Sequence, residues 1–130
     1  MTETAAETVT RFLRLMEARD LAGAQALLAP GFRMVFPGGA EMARLEELIA
    51  WAKDRYRWVR KTFDRVESSD RAVWVSGTLA GEWLDGRAFD GIRYVDRFEI
   101  ENGLIVRQDV WNDMGEARLA DMASGGVGSA

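Results

Sequence analysis

The chain has 130 residues, enough for one domain around one core, and its 48% hydrophobic and 29% charged residues are the balance of an ordinary soluble globular protein. Seventeen basic residues against 21 acidic ones leave a net charge of −4 with no basic cluster, which argues against nucleic acid as a partner. No apolar run approaches the ~18 residues of a bilayer span, and there is neither cysteine nor histidine, so disulfides, thiolate metal sites and Ser-His-Asp chemistry are excluded.

Without histidine, acid–base work falls to Asp, Glu, Tyr or Lys, and a metal site loses its commonest ligand. The first ten residues, "MTETAAETVT", lack the basic and apolar segments of a signal peptide, so a cytoplasmic location is expected. Val9, Phe12, Leu13 and Met16 recur at helical spacing and predict an amphipathic helix over residues 4–19. Asp20 is placed to cap a second, short helix carrying Leu21, Ala24, Leu27 and Leu28, ended by Pro30-Gly31. "FRMVF" reads as a strand closed by the turn "PGG", and residues 41–55 carry Leu45, Leu48, Ile49 and Ala52 as a third helix.

From residue 58 the chain reads as strand after strand. "WVRKTFDRVES", "RAVWVSGTLAGEWL", "FDGIRYVDRFEIE" and "LIVRQDVWND" are separated by "SSD", Asp85-Gly86 and Asn102-Gly103, all turn signals. The predicted order is α-α-β-α-β-β-β-β, an α+β pattern in which three N-terminal helices cover the concave face of a curled, mostly antiparallel sheet. That arrangement makes a cone with a pocket inside. Residues 1–122 form the domain, and "ASGGVGSA" at 123–130 reads as a flexible tail.

"IRYVDRFEI" carries an anomaly. Alternation puts Ile92, Tyr94, Asp96, Phe98 and Ile100 on one face, with a carboxylate among four large apolar side chains. Such a group is either paired as a structural acid or lines a pocket, where desolvation raises its pKa if no cation is near. In the last strand Gln108 and Asn112 are the polar exceptions on the face of Leu104, Val106 and Val110. With Asp96 and Tyr94 they form a polar cluster on an apolar wall. Phe12, Met16, Phe36, Trp51, Tyr56 and Trp58 are candidates for the rest of the lining, while "RYRWVRK" reads as solvated surface. In the strand from residue 71, Val73, Val75, Leu79 and Trp83 alternate with Trp74, Ser76, Thr78 and Glu82, so both faces carry large apolar groups. With the Val73 set outward, that face predicts a homodimer.

Three stretches, "ARDLAGAQALLAPGFRMVFPGG", "LEELIAW" and "YVDRFEIENGLIVRQDVW", resemble the nuclear transport factor 2-like superfamily, and within it the SnoaL-like proteins, over residues 5–117. The resemblance implies a cone-shaped fold, a homodimer and a cofactor-free small-molecule pocket. It does not imply one activity, because one fold hosts isomerases, cyclases, hydrolases and binders. By similarity to ketosteroid isomerase, Asp96 matches a buried catalytic acid, while the general base falls on Phe36, before Pro37, and a catalytic Tyr falls on Phe12. The Asp-Arg-Asp set of limonene epoxide hydrolase is incomplete here, its last acid falling on Val110, or on Asp109 with a one-residue slip. The SnoaL-type cyclases use an acid–base Asp, a role open to Asp96, although their late His is missing. The expected functions are acid–base chemistry by Asp96 on a hydrophobic oxygenated molecule (polyketide, steroid or terpene), ligand binding without catalysis, or a dimeric module with a filled cavity.

Overall fold

The computed structural model describes residues 3–128. Its elements are α1 (Ala5–Glu17), α2 (Leu21–Gln25), β1 (Leu28–Phe36), β2 (Ala40–Met42), α3 (Leu45–Lys53), β3 (Tyr56–Ser69), β4 (Ala72–Trp83), β5 (Ala88–Glu101), β6 (Leu104–Asn112) and α4 (Met114–Gly128). The six strands form one open, curled sheet in the order β2-β1-β6-β5-β4-β3. Only β1 and β6 run parallel; every other neighbour pair is antiparallel. Among the described residues no helix is long and apolar enough to cross a membrane.

Local chemistry accounts for the elements. Thr4 and Glu7 form a reciprocal capping box at the start of α1, satisfying two N–H groups that the helix leaves free. Asp20 caps α2 by accepting from the Gly23 N–H at 2.9 Å. The Asn102-Gly103 pair joins β5 to β6 with both residues in the left-handed region, at φ 52° and 77°. A two-residue hairpin turn requires that geometry. The helices pack on one face of the sheet: α1 inserts Phe12 against Phe98 and Phe32, with ring centroids 5.9 and 6.5 Å apart, and α3 sets Trp51 against Phe36 at 5.3 Å.

Several expectations are corrected. The second helix stops at Gln25, and Leu28 opens β1, because the Leu27 carbonyl is taken by the Ile105 N–H and Leu28 pairs with Ile105 across the parallel ladder. Residues 40–42 form a short edge strand on β1 instead of starting the third helix. A fourth helix, α4, absent from the predicted order, follows β6 and runs through Gly128, over most of the stretch 123–130 read as a tail; residues 129 and 130 lie outside the described residues. Four glycines hide its helical signal. It is started by Asn112 Oδ1, which accepts the Met114 N–H, and it is docked by Asp121, which accepts from Trp83 Nε1 at 2.6 Å.

The faces of β4 are also reversed. Val73, Val75, Leu79 and Trp83 are buried under the helices, while Trp74 stands 40% exposed on the convex side. The buried set is uniformly apolar, whereas the outward set has one large apolar group, Trp74, among Ser76, Thr78 and Glu82, so alternation favoured the observed face and the weight given to Trp74 reversed it. The expectation for β5 holds: Ile92, Tyr94, Asp96 and Phe98 are buried, and Arg93 points to solvent.

Candidate functional site

A cavity of about 460 Å³ opens at the end of the cone formed by the β1–β2 turn, the C-terminus of α3 and the start of α4. Its inner wall is Phe36, Trp51, Tyr56, Val59, Leu79, Trp83 and Val110, an apolar surface donated by four strands and one helix. Asn112, Met114, Gly115 and Arg118 line it from the last strand and α4, and Asp54 and Arg55 line it from the end of α3. A smaller chamber of about 80 Å³ adjoins it, against Phe12, Met16, Leu48 and Gln108, with Glu17 and Arg19 also in its lining. Phe36, Tyr56, Val59 and Lys61 border both spaces.

Lys61 is the charged group at this junction, and strand geometry explains why. After an irregularity between Tyr56 and Trp58, Val59, Lys61 and Phe63 share the inward face of β3. The Lys61 side chain is 14% exposed, and its ammonium donates to Asp96 Oδ2 at 2.5 Å. It also lies 5.0 Å from the centre of the Tyr94 ring. Tyr94 is itself anchored, its hydroxyl donating to the Thr62 carbonyl at 3.0 Å. Burial pushes the Tyr94 phenol pKa upward, helped by the Asp96 charge. Gly77, in register with both Tyr94 and Phe63, permits this closeness: a Cβ there would collide with the Thr62 carbonyl oxygen.

Asp96 is fully buried, with Val75 and Val110 as its register partners on either side. Burial pushes its carboxyl above the ordinary value. The Lys61 charge and hydrogen bond pull it back, and the Gln108 amide does so more weakly, without cancelling the loss of water. Among the described residues neither Asp96 Oδ1 nor Gln108 Oε1 has a hydrogen-bond partner. Of the two readings open for Asp96, a paired acid and a pocket acid with no close cation, the structure has the paired one, because Lys61 reaches it from two strands away. Asp96 lines neither chamber, so its charge meets the cavity only through Lys61.

The other predicted residues divide by parity and depth. Phe36 and Tyr56 border both chambers, Trp51 and Asn112 line the larger, and Phe12, Met16 and Gln108 line the smaller. Burial raises the Tyr56 hydroxyl pKa, so it stays a neutral donor. Tyr94 is a buried brace rather than a lining residue. Trp58 is corrected: the irregularity after Tyr56 turns it outward, 48% exposed, where its indole N–H meets Glu82 Oε2 at 3.4 Å. Lys61, Arg55 and Arg118 were missed. The Val59-Lys61-Phe63 alternation was the available signal for Lys61, but it was masked by the basic stretch around it. Among the described residues no three acidic side chains gather as a metal-binding cluster.

The fold has close structural relatives. An NTF2-like protein of unknown function from Burkholderia pseudomallei K96243 superposes with a TM-score of 0.75 at 26% identity, covering 85% of this chain and 91% of that one. TerC, co-crystallised with polyporic acid, gives 0.77 at 18% identity over 86% and 93% of the two chains. A protein with a ketosteroid isomerase-like fold from Catenulispora acidiphila DSM 44928, in complex with trimethylamine, gives 0.70 at 16% identity over 83% and 86%. No curated protein matches the sequence significantly. Residues 9–108, which carry most of α1, the sheet as far as Gln108 and the Lys61–Asp96 pair, match the SnoaL-like domain, and the chain belongs to that family.

Proposed function

We propose that this protein binds a hydrophobic, oxygenated small molecule of polyketide, steroid or terpene type in the 460 Å³ cavity and acts on it by cofactor-independent acid–base chemistry. The carrying observation is the Lys61–Asp96 pair at the junction of the two chambers. In this reading Lys61 donates to a carbonyl or enolate oxygen of the ligand, and Tyr56 stands beside it as a second donor. Asp96 holds the ammonium in place and takes up or returns its proton, a role suited to a carboxyl whose pKa burial has raised. The apolar wall supplies the affinity and the few polar groups supply the orientation. The ligands bound by TerC and by the Catenulispora acidiphila protein support small-molecule binding on this fold.

A second reading, binding without turnover, is favoured by Phe36 and Phe12 at the positions where the resemblance to ketosteroid isomerase implies a base and a Tyr. The 460 Å³ cavity weighs against a third reading, a filled structural module. As part of the proposal we retain the cytoplasmic location and the homodimer. The dimer surface is now the convex face, where Trp74, Val95 and Trp111 are exposed at 40%, 36% and 53%.

The test is titration of the purified chain with aromatic ketones, followed by calorimetry and by turnover assays on ketone and epoxide panels. The proposal expects ketone binding that is lost in Lys61→Met. Binding unaffected by that change would sink the assigned site, and binding without turnover would select the second reading.

A further inference from the structure

The charges around the cavity do not balance, and the imbalance has a definite place. Lys61 is neutralised by Asp96 behind it. That leaves Arg55 and Arg118 on the cavity wall against a single lining carboxylate, Asp54. The wall therefore carries one uncompensated positive charge in a chain whose net charge is −4.

Both arginines differ from most others in the molecule. Nine of the fifteen arginines sit in ion pairs with carboxylates. Among the described residues, Arg55 and Arg118 make none. They are seated on aromatic rings instead. The Arg55 guanidinium lies 3.9 Å over Trp51 and donates to the Trp51 carbonyl at 2.7 Å, and the Arg118 guanidinium lies 5.2 Å over Trp83. Such a seat fixes the plane of the guanidinium and leaves its N–H edge for a ligand. Asp85, which feels the Arg118 charge, is itself paired with Arg87 at 2.9 Å; Asp121 accepts from Trp83 Nε1, a neutral donor that does not offset its charge, but it does not line the cavity.

We infer that the ligand is a hydrophobic organic acid, bound as a monoanion with its carboxylate at the cavity mouth against Arg55 and Arg118 and a neutral oxygen directed to Lys61. This rests on the small-molecule reading above and narrows it to a substrate class. Guanidinium groups take carboxylates through paired, charge-assisted hydrogen bonds. The floor needs no second anion, because Asp96 already balances Lys61. Apolar walls around the mouth weaken the competition from water and so favour a ligand whose one charge meets the one left over.

The experiment is calorimetric titration of the full chain with a matched pair, an acetylnaphthoic acid and its uncharged methyl ester. The acid should bind about tenfold more tightly than the ester, and that preference should shrink between about 20 mM and about 300 mM salt. Arg55→Gln and Arg118→Gln should each weaken the acid by about tenfold and leave the ester unchanged, while Arg118→Lys should keep part of the preference. Arg33→Gln, on the convex face, should change neither. Thermal melting of each variant establishes that it is folded, and Arg118→Lys keeps the test open if Arg118→Gln is not. Equal binding of acid and ester, or variants that weaken both alike, would overturn the inference and leave the small-molecule reading standing. If neither probe binds, both fall.

Discussion

The floor and the mouth of the cavity both use basic side chains, but in opposite ways. At the floor, Lys61 is nearly buried and holds Asp96, which is wholly buried, at 2.5 Å. At the mouth, Arg55 and Arg118 meet solvent and rest on tryptophans, without a carboxylate partner among the described residues. A charge in the low-dielectric interior needs its counter-ion in the fold itself, because leaving it alone costs several kcal/mol. A charge at the rim keeps its water, so it can wait for a partner that arrives with the ligand. The floor should therefore govern stability, and the mouth should govern recognition.

The largest effect should come from splitting the floor pair. Lys61→Met leaves the Asp96 carboxylate buried without a cation, and we expect a loss of ~3 kcal/mol in urea unfolding. Removing both partners, as Lys61→Met with Asp96→Leu, should recover most of that loss. A double variant no more stable than the single would show that the pair contributes more than mutual neutralisation. Next comes Gly77→Ala. Its Cβ would strike the Thr62 carbonyl and push β3 away from Tyr94, at an expected ~2 kcal/mol. A Tyr94→Phe change should be milder, ~1 kcal/mol, since the Thr62 carbonyl lies near water.

The pH dependence sharpens the contrast further. The folded pKa of Asp96 lies above its unfolded value of 3.8. Its contribution to stability is then complete below about pH 4 and is lost as the pH rises through the folded pKa. Melting temperature against pH, wild type compared with Asp96→Asn, should show the wild type losing ground across that window. NMR titration of the Asp96 carboxyl should place its midpoint above 3.8. A midpoint below that value would mean that Lys61 outweighs desolvation. The smallest effects belong to the mouth: Arg55→Gln and Arg118→Gln should shift unfolding by under ~0.5 kcal/mol, the usual range for surface changes. A large loss at either position would erase the distinction between the two ends.

Legibility in the sequence follows the range of the interactions concerned. The burial of Ile92, Tyr94, Asp96 and Phe98 was readable because a long strand with one apolar face announces itself by alternation. The Asp20 cap and the Asn102-Gly103 turn were readable because their geometry is set within a few residues. The faces of β4 were misassigned although the Val73 set is wholly apolar and the other holds Ser76, Thr78 and Glu82, because one large side chain, Trp74, was weighted as if it made its whole face apolar. Trp58 was misplaced by one irregularity in β3, which changes the parity of everything on one side of it. The helix α4 was hidden because its support comes from Trp83 and Asn112 rather than from its own glycine-containing sequence.

The sequence by itself determined the α+β class, the places of the hairpin turns, the family resemblance and a chemistry without histidine or cysteine. It also showed that a carboxylate at position 96 had to be accounted for. The tertiary structure alone decided what accounts for it. Lys61 lies 35 residues away and meets Asp96 only because β3 curls over β4 and β5. It likewise decided that Arg55 and Arg118, two of the arginines without an ion pair among the described residues, come to one opening through α3 and α4. Dihedral preferences and alternation act over a few neighbouring residues, whereas the partner of a buried charge is whatever the curvature of the sheet sets beside it.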